Sequence, residues 1–139
     1  MCIFFRELSN LDANALKDEK HIPTALLKAF YDPEKLEGDK LEQWLRWWKA
    51  YTYRCKEENT SISQRQDAMN LINPKYVLRN YMAQLTIDAA NDGDYTLIAE
   101  MLDMLSHPYQ DNSKYDKWYV KRPEWARHKV GCSMLSCSS

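Results

Sequence analysis

The sequence predicts an all-α fold: a helical bundle with a long Trp-rich helix, a helical hairpin around Gly93 and an irregular, extended C-terminal tail. Only 3 Gly and 5 Pro occur in 139 residues, too few for the many turns of a sandwich or barrel. Hydrophobic residues make up 45% of the chain, which is enough to bury a core. At this length we expect a single helical domain over 1–139, with the irregular tail over 110–139.

The long helix is predicted to follow Asp32-Pro33, because Asp can cap a helix and Pro fits its first turn. Its apolar face repeats every three or four residues and comprises Leu41, Trp44, Leu45, Trp48, Thr52 and Cys55. An apolar segment at 25–30 predicts a shorter helix that covers this face. Large aromatic rings at helical spacing usually belong to a core, so we assign them to packing and not to ligand binding.

Three more helices follow. Ser61 or Ser63 can cap one that carries Met69 and ends at Asn73-Pro74, since Pro disfavours helical geometry in the residue before it. Apolar stripes then run over 77–89 and 97–105, separated by a turn at Gly93. With Asp94 as the cap of the second helix and His107-Pro108 as its end, this pair predicts the hairpin.

Charge and hydropathy argue against two classes of partner. The 19 basic and 20 acidic residues nearly cancel, so the basic stripe of nucleic-acid-binding proteins is missing. Apolar runs are far shorter than the roughly 20 residues of a membrane span. Residues 1–7 lack the pattern of a secretory signal, so we expect a reducing compartment and free thiols at Cys2, Cys55, Cys132 and Cys137.

Cofactor sites are not predicted. The turn over 88–99 aligns Gly93 with the glycine of a calcium loop, but Ala90 and Ala99 replace two oxygen ligands. His128, Cys132 and Cys137 could share zinc only if Cys55 or His107 supplied a fourth ligand. The three glycines lie far apart, so no glycine-rich phosphate loop exists, and we expect neither a metal nor ATP on this chain. Nor does the spacing of its acids pair two carboxylates for acid–base catalysis.

Three segments together resemble the C-terminal region of the selenoprotein O family. The longest runs from Asn73-Pro74-Lys75-Tyr76 through the Gly93-Asp94 turn to Tyr109. Pro123-Glu124-Trp125-Ala126 and the closing Cys137-Ser138-Ser139 resemble the family's ending, where the third residue from the end is cysteine or selenocysteine. Phe4-Phe5-Arg6-Glu7-Leu8-Ser9 resembles the segment that follows the family's kinase-like region.

The resemblance implies a role for the chain within a larger enzyme. Members of the family are pseudokinases that bind ATP in an inverted orientation with a divalent metal and transfer AMP to protein hydroxyls. Their nucleotide and metal residues lie upstream and have no counterpart here, so ATP and Mg²⁺ or Mn²⁺ are implied only for the full-length protein. The implied partners are the kinase-like lobe of the same protein and the protein substrates. The implied location is the cytoplasm of a bacterium or the mitochondrion of a eukaryote.

Cys137 matches the redox-active position of the family, where the thiol can pair with a cysteine of the kinase-like region. Flanked by Ser136 and Ser138, it is expected to be mobile and exposed, as a reactive thiol must be. Two alternatives stay open: an inert exposed thiol, or a short loop closed with Cys132.

Two readings of the whole chain also remain open. It is either the non-catalytic C-terminal part of a protein adenylyltransferase or an autonomous helical interaction module. A piece of a larger fold should expose apolar surface, so we expect an apolar patch or self-association.

Overall fold

Helices account for all the regular structure in the described part of the chain. The computed structural model describes residues 2–12, 21–58 and 60–132, and across these ranges it holds six α-helices, three 3-10 helices and no strand. The predicted all-α class is confirmed. Within the same ranges, no helix combines the length and apolarity that crossing a membrane requires.

The chain divides into two compact units, Met1–Asn73 and Pro74–Ser139. The boundary falls at Asn73-Pro74, where the sequence predicts the end of a helix. Each unit has a core of its own. The expectation of a single domain over 1–139 stays a prediction.

The first unit contains helices α1 (Cys2–Ser9), α2 (Thr24–Leu27), α3 (Gly38–Glu57) and α4 (Ile62–Ile72). Its core is built on Leu8, Leu26 and Trp48, with Phe4 and Tyr51 among the partly buried side chains packed against them. Leu26 of the predicted short helix and Trp48 of the long one thus lie in the same core. Helix α1 was not predicted, and it supplies Leu8 to this core.

The long helix begins later than predicted. Asp32-Pro33 opens a 3-10 helix, Pro33–Lys35, and the Asp32 side chain binds Lys35 instead of capping a helix. Glu37 is extended, so α3 begins only at Gly38. A Pro in a first turn is equally compatible with a short 3-10 helix, which explains the difference.

Helix α4 is capped at both ends by side chains. Ser61 forms a capping box with Gln64, as one of the two predicted alternatives. At the other end, the buried Arg6 guanidinium donates to the carbonyl oxygens of Asn73 (2.9 Å) and Asn70 (3.4 Å). These carbonyls have no partner within the helix, so α1 satisfies the end of α4.

The second unit is built on the predicted hairpin, formed by α5 (Asn80–Asn91) and α6 (Thr96–Ser106). Gly93 makes the turn at φ +84°, and Asp94 accepts a hydrogen bond from the Thr96 N–H. Helix α5 begins three residues later than its apolar stripe suggests, because Arg79 is extended. The core of this unit consists of Tyr76, Tyr81, Met82, Met101, Met104, Tyr115, Ala126 and Cys132.

The segment after α6 contains no α-helix among its described residues, as expected for an irregular tail. It is nevertheless more structured than predicted, because Ser113–Trp118 and Glu124–Arg127 form 3-10 helices. Tyr115 and Ala126 from these turns are buried in the core of the second unit.

Candidate functional site

The candidate site is the C-terminal end of the second unit, where the residues preceding Cys137 are held against the hairpin. We call residues 110–132 the strap. The chain is held just before the strap by the backbone N–H groups of Lys75 and Tyr76. Both donate to the Pro108 carbonyl, at 2.7 and 3.1 Å. The ammonium of Lys75 lies 2.9 Å from carboxylate oxygens of Asp111 and of Asp116. Two ion pairs therefore hold the start of the strap, and two backbone hydrogen bonds hold Pro108 just before it.

Two tyrosines bury the start of the strap. The Tyr76 hydroxyl donates to the Asn112 carbonyl at 2.8 Å, and its ring meets that of Tyr115 edge to face at 6.0 Å. Burial by itself would lower the pKa of Lys75, but its hydrogen bonds to Asp116, Asp111 and Tyr76 outweigh this and raise the pKa above its usual value. We call these contacts of Lys75 and Tyr76 the anchor of the strap. Because its pKa is raised, Lys75 stays positively charged in this anchor.

Two carboxylates of α6 receive the next part of the strap. Glu100 accepts from the Trp118 indole N–H at 2.6 Å and pairs with Lys117 at 2.7 Å. Burial would raise the pKa of Glu100, yet these two hydrogen bonds together lower it. Asp103 accepts from the Tyr115 hydroxyl and lies 3.4 Å from the Lys114 ammonium, so its pKa is also lowered.

Helix α5 holds the end of the strap. Lys129 places its ammonium 2.6 Å from an Asp88 carboxylate oxygen, and the Gln84 amide N–H donates to the other oxygen at 2.7 Å. These two hydrogen bonds lower the pKa of Asp88. Gly131 turns at φ +84° directly over the Gln84 side chain, where a Cβ would lie 2.3 Å from Gln84 Oε1.

Cys132, one of the two predicted redox residues, is placed by this turn. Its N–H donates to the Lys129 carbonyl at 3.1 Å, and the residue is only 4% exposed within the core of the second unit. Cys137 lies outside the described residues, so its pairing with Cys132 stays a prediction. The geometry shows Cys132 as a buried thiol, which oxidants reach poorly in this conformation.

No metal site forms in the described part of the chain. In residues 2–12, 21–58 and 60–132, no three His, Cys, Asp or Glu side chains converge as ligands would. Of the zinc ligands considered, His128 is exposed, Cys132 is buried and Cys137 lies outside these ranges.

A second thiol lies in a cleft that sequence reasoning missed. Cys55 lines a cleft of about 420 Å³ between α3 and α4, where the Arg65 guanidinium lies 3.5 Å from its sulfur and 2.8 Å from the Tyr51 oxygen. Burial, followed by the hydrogen bond with Cys55, raises the pKa of Tyr51 to about 12, although Arg65 opposes the rise. Arg65 also donates to the Leu11 carbonyl, so it links the cleft to the segment that follows α1.

Comparison with known proteins identifies the class of protein. A model of the family described as "Protein adenylyltransferase SelO" matches residues 2–106, and the chain belongs to this family. The resemblance found in the sequence is therefore confirmed.

Several curated relatives extend the match to the whole chain. "Protein nucleotidyltransferase YdiU" of Flavobacterium johnsoniae is 49% identical over 100% of the chain, and proteins of the same name from Aromatoleum aromaticum and Rhodopirellula baltica are 46% and 40% identical over the same extent. The chain spans 25–27% of the length of these three proteins. It corresponds to about a quarter of each relative, and the strap falls within the matched region.

Proposed function

We propose that this chain is the C-terminal helical region of a redox-regulated protein adenylyltransferase and has no catalytic activity by itself. The observation that carries the proposal is membership of the SelO family by a chain that spans only about a quarter of its curated relatives. AMP transfer from ATP to protein hydroxyls, with Mg²⁺ or Mn²⁺, is then the work of the remaining three quarters. The bacterial relatives favour the cytoplasm as the location.

The described residues do not fit an ATP and metal site. Of the three glycines, Gly93 forms the hairpin turn and Gly131 lies over Gln84, so neither belongs to a loop that could cradle phosphates. Four acids at the strap, Asp88, Glu100, Asp103 and Asp116, are each paired with a lysine. No step of the transfer is therefore assigned to residues of this chain.

Exposed apolar side chains support a role in packing against the kinase-like lobe. Ile98 and Leu102 of α6 and Tyr95, which precedes its first residue, have the spacing of one helical face, and all three are exposed. Contiguous apolar surface of this kind usually marks an interaction site. Substrate proteins would be bound by the complete enzyme.

The catalytic part of the proposal is tested with labelled ATP. We expect the isolated chain to transfer no AMP to proteins of a bacterial lysate in the presence of Mg²⁺ or Mn²⁺. The Flavobacterium johnsoniae relative serves as the positive control in the same assay. AMP transfer by the chain alone would show that the catalytic residues lie within it.

The redox part is tested in a chimera, in which this chain replaces the matching quarter of the same relative. We expect AMP transfer by the chimera to differ between oxidising and reducing buffer, and Cys137→Ser to abolish the difference. Cys55→Ser, which removes a thiol of the first unit, is the matched control and should retain it. An identical redox response in the Cys137→Ser chimera would refute a role for that thiol.

A further inference from the structure

The two ends of the strap are held by contacts of very different character. At the start, the Lys75 side chain is only 13% exposed, although its partners Asp111 and Asp116 are 72% and 57% exposed, and the adjacent Tyr76 is buried. Two backbone hydrogen bonds to Pro108 reinforce this anchor. Because two ion pairs, two backbone hydrogen bonds and a buried ring hold this end, the loss of one contact leaves the others in place. The start of the strap should therefore stay docked until the unit unfolds.

The last turn of the strap, residues 129–132, is held by an ion pair whose lysine is more exposed than Lys75 and also lies over the Trp125 ring at 5.7 Å. The side chains of Lys129 and Asp88 are 43% and 41% exposed, and ion pairs of this kind contribute little and weaken as salt screens them. The backbone at Gly131 adopts a left-handed conformation over the movable end of the Gln84 side chain. Cys132, the last residue of this turn, is buried in the core of the second unit.

We propose that residues 129–132 form a latch that opens by itself, exposing the thiol of Cys132 while the rest of the strap stays docked. Opening would make the Cys132 thiol available to an oxidant or to another thiol, and this consequence rests on the proposed redox function.

The test uses Cys132 as its own reporter. The test uses the full chain with Cys2, Cys55 and Cys137 replaced by Ser. The rate at which a maleimide labels Cys132 is measured at increasing concentrations of urea and of salt. Local opening predicts labelling that depends weakly on urea at low concentrations, because little surface is exposed. Raising salt from about 20 to 500 mM should speed labelling about twofold to fivefold, as expected when an exposed ion pair is screened.

Two variants separate the latch from general loss of stability. Lys129→Gln should speed labelling at low salt by about the same factor and remove most of the salt effect, since the pair is already broken. Lys75→Gln weakens the other end of the strap. It should lower the global stability of the second unit yet leave Cys132 labelling in the absence of urea unchanged.

Labelling that follows the full urea dependence of global unfolding would overturn the proposal, as would equal acceleration by the two variants. Because Cys137 is absent from the labelled protein, a failure of the latch is distinguishable from a failure of the redox role. A chimera that loses its redox response on Cys137→Ser while Cys132 labels only by global unfolding would support the proposed function and refute the latch.

Discussion

Gly131 and Gly93 share the same backbone conformation, φ +84°, but differ in what surrounds them. An added Cβ at Gly93 would meet nothing within 4 Å, whereas at Gly131 it would overlap the end of the Gln84 side chain. Substitutions at these two glycines therefore distinguish the cost of backbone strain alone from the cost of strain together with a steric clash.

We expect Gly93→Ala to lower the free energy of unfolding by about 1 kcal/mol, the cost of a left-handed conformation for a residue with a Cβ. Gly131→Ala should cost more, because Gln84 must also move and its bond to Asp88 is disturbed. Urea unfolding of the two variants measures the difference. Combining Gly131→Ala with Gln84→Ala should remove the excess, and an excess that persists would mean that Gln84 is not its source.

Tyr51 gives a prediction for alkaline pH. Its pKa is raised from about 10 to about 12, chiefly by burial, so the folded state holds the phenolic proton more tightly than the unfolded state. This contribution to stability is complete below pH 10 and is lost as pH rises towards 12. The stability advantage of the parent over Tyr51→Phe should therefore shrink over that range, as measured by urea unfolding at each pH.

Tyr53→Phe is the control for this experiment, because it removes an exposed phenol from the same helix. If both variants show the same pH dependence relative to the parent, burial of Tyr51 is not the cause.

Individual residues were predictable only where local sequence determines their role. The cap at Ser61 and the turn at Gly93 follow from short-range patterns, and both are found. The surroundings of Cys55 depend on Arg65 reaching across from α4, and those of Cys132 on Gln84 and Asp88 of α5. No local pattern reports such contacts.

Among the elements, α4 offers the clearest test of capping. Ser61 Oγ accepts from the Gln64 N–H at 3.2 Å, and the Gln64 side chain accepts from the Ser61 N–H at 3.2 Å. Ser63, the other predicted cap, lies inside the helix and is exposed.

We expect Ser61→Ala to destabilise the first unit by about 1 kcal/mol, since a helix N–H loses its acceptor. Ser63→Ala should change stability little or raise it slightly, because Ala has the higher helix propensity. Thermal unfolding followed by circular dichroism compares the two. A larger loss from Ser63→Ala would show that the capping box does not stabilise α4.

Elements with a full apolar stripe were predictable, and those that depend on partners were not. The periodicity of α3, α5 and α6 is visible in the chain, although α3 and α5 begin later than it suggests. In the strap, the 3-10 helix Ser113–Trp118 is held on α6 because Tyr115 and Trp118 donate hydrogen bonds to Asp103 and Glu100, and Glu124–Arg127 buries Ala126 in the core. Their stability comes from tertiary contacts, which composition does not encode.

At the scale of the whole molecule, the all-α class could be predicted from composition. Which helix faces are exposed could not, because it depends on which faces pack against other parts of the chain. Helix α6 shows this, because Met101 and Met104 face the core while Glu100 and Asp103 face the strap. Its Ile98 and Leu102 face outward, as does Tyr95 just before the helix. Leu102 is 68% exposed, an unusual position for a leucine on an otherwise well-packed helix.

This outward face should make the isolated chain self-associate. We expect sedimentation velocity to show a concentration-dependent shift towards larger species, because burying the exposed Tyr95, Ile98 and Leu102 side chains removes apolar surface from water. Leu102→Glu should weaken the association at least several-fold, since a charge within the patch must be desolvated. Thr96→Glu adds the same charge to an exposed site of α6 that is off this face, so its effect should be smaller. Equal effects of the two variants would mean that net charge, not the apolar face, weakens the association. A parent chain that stays monomeric at all concentrations would show that this face does not drive self-association.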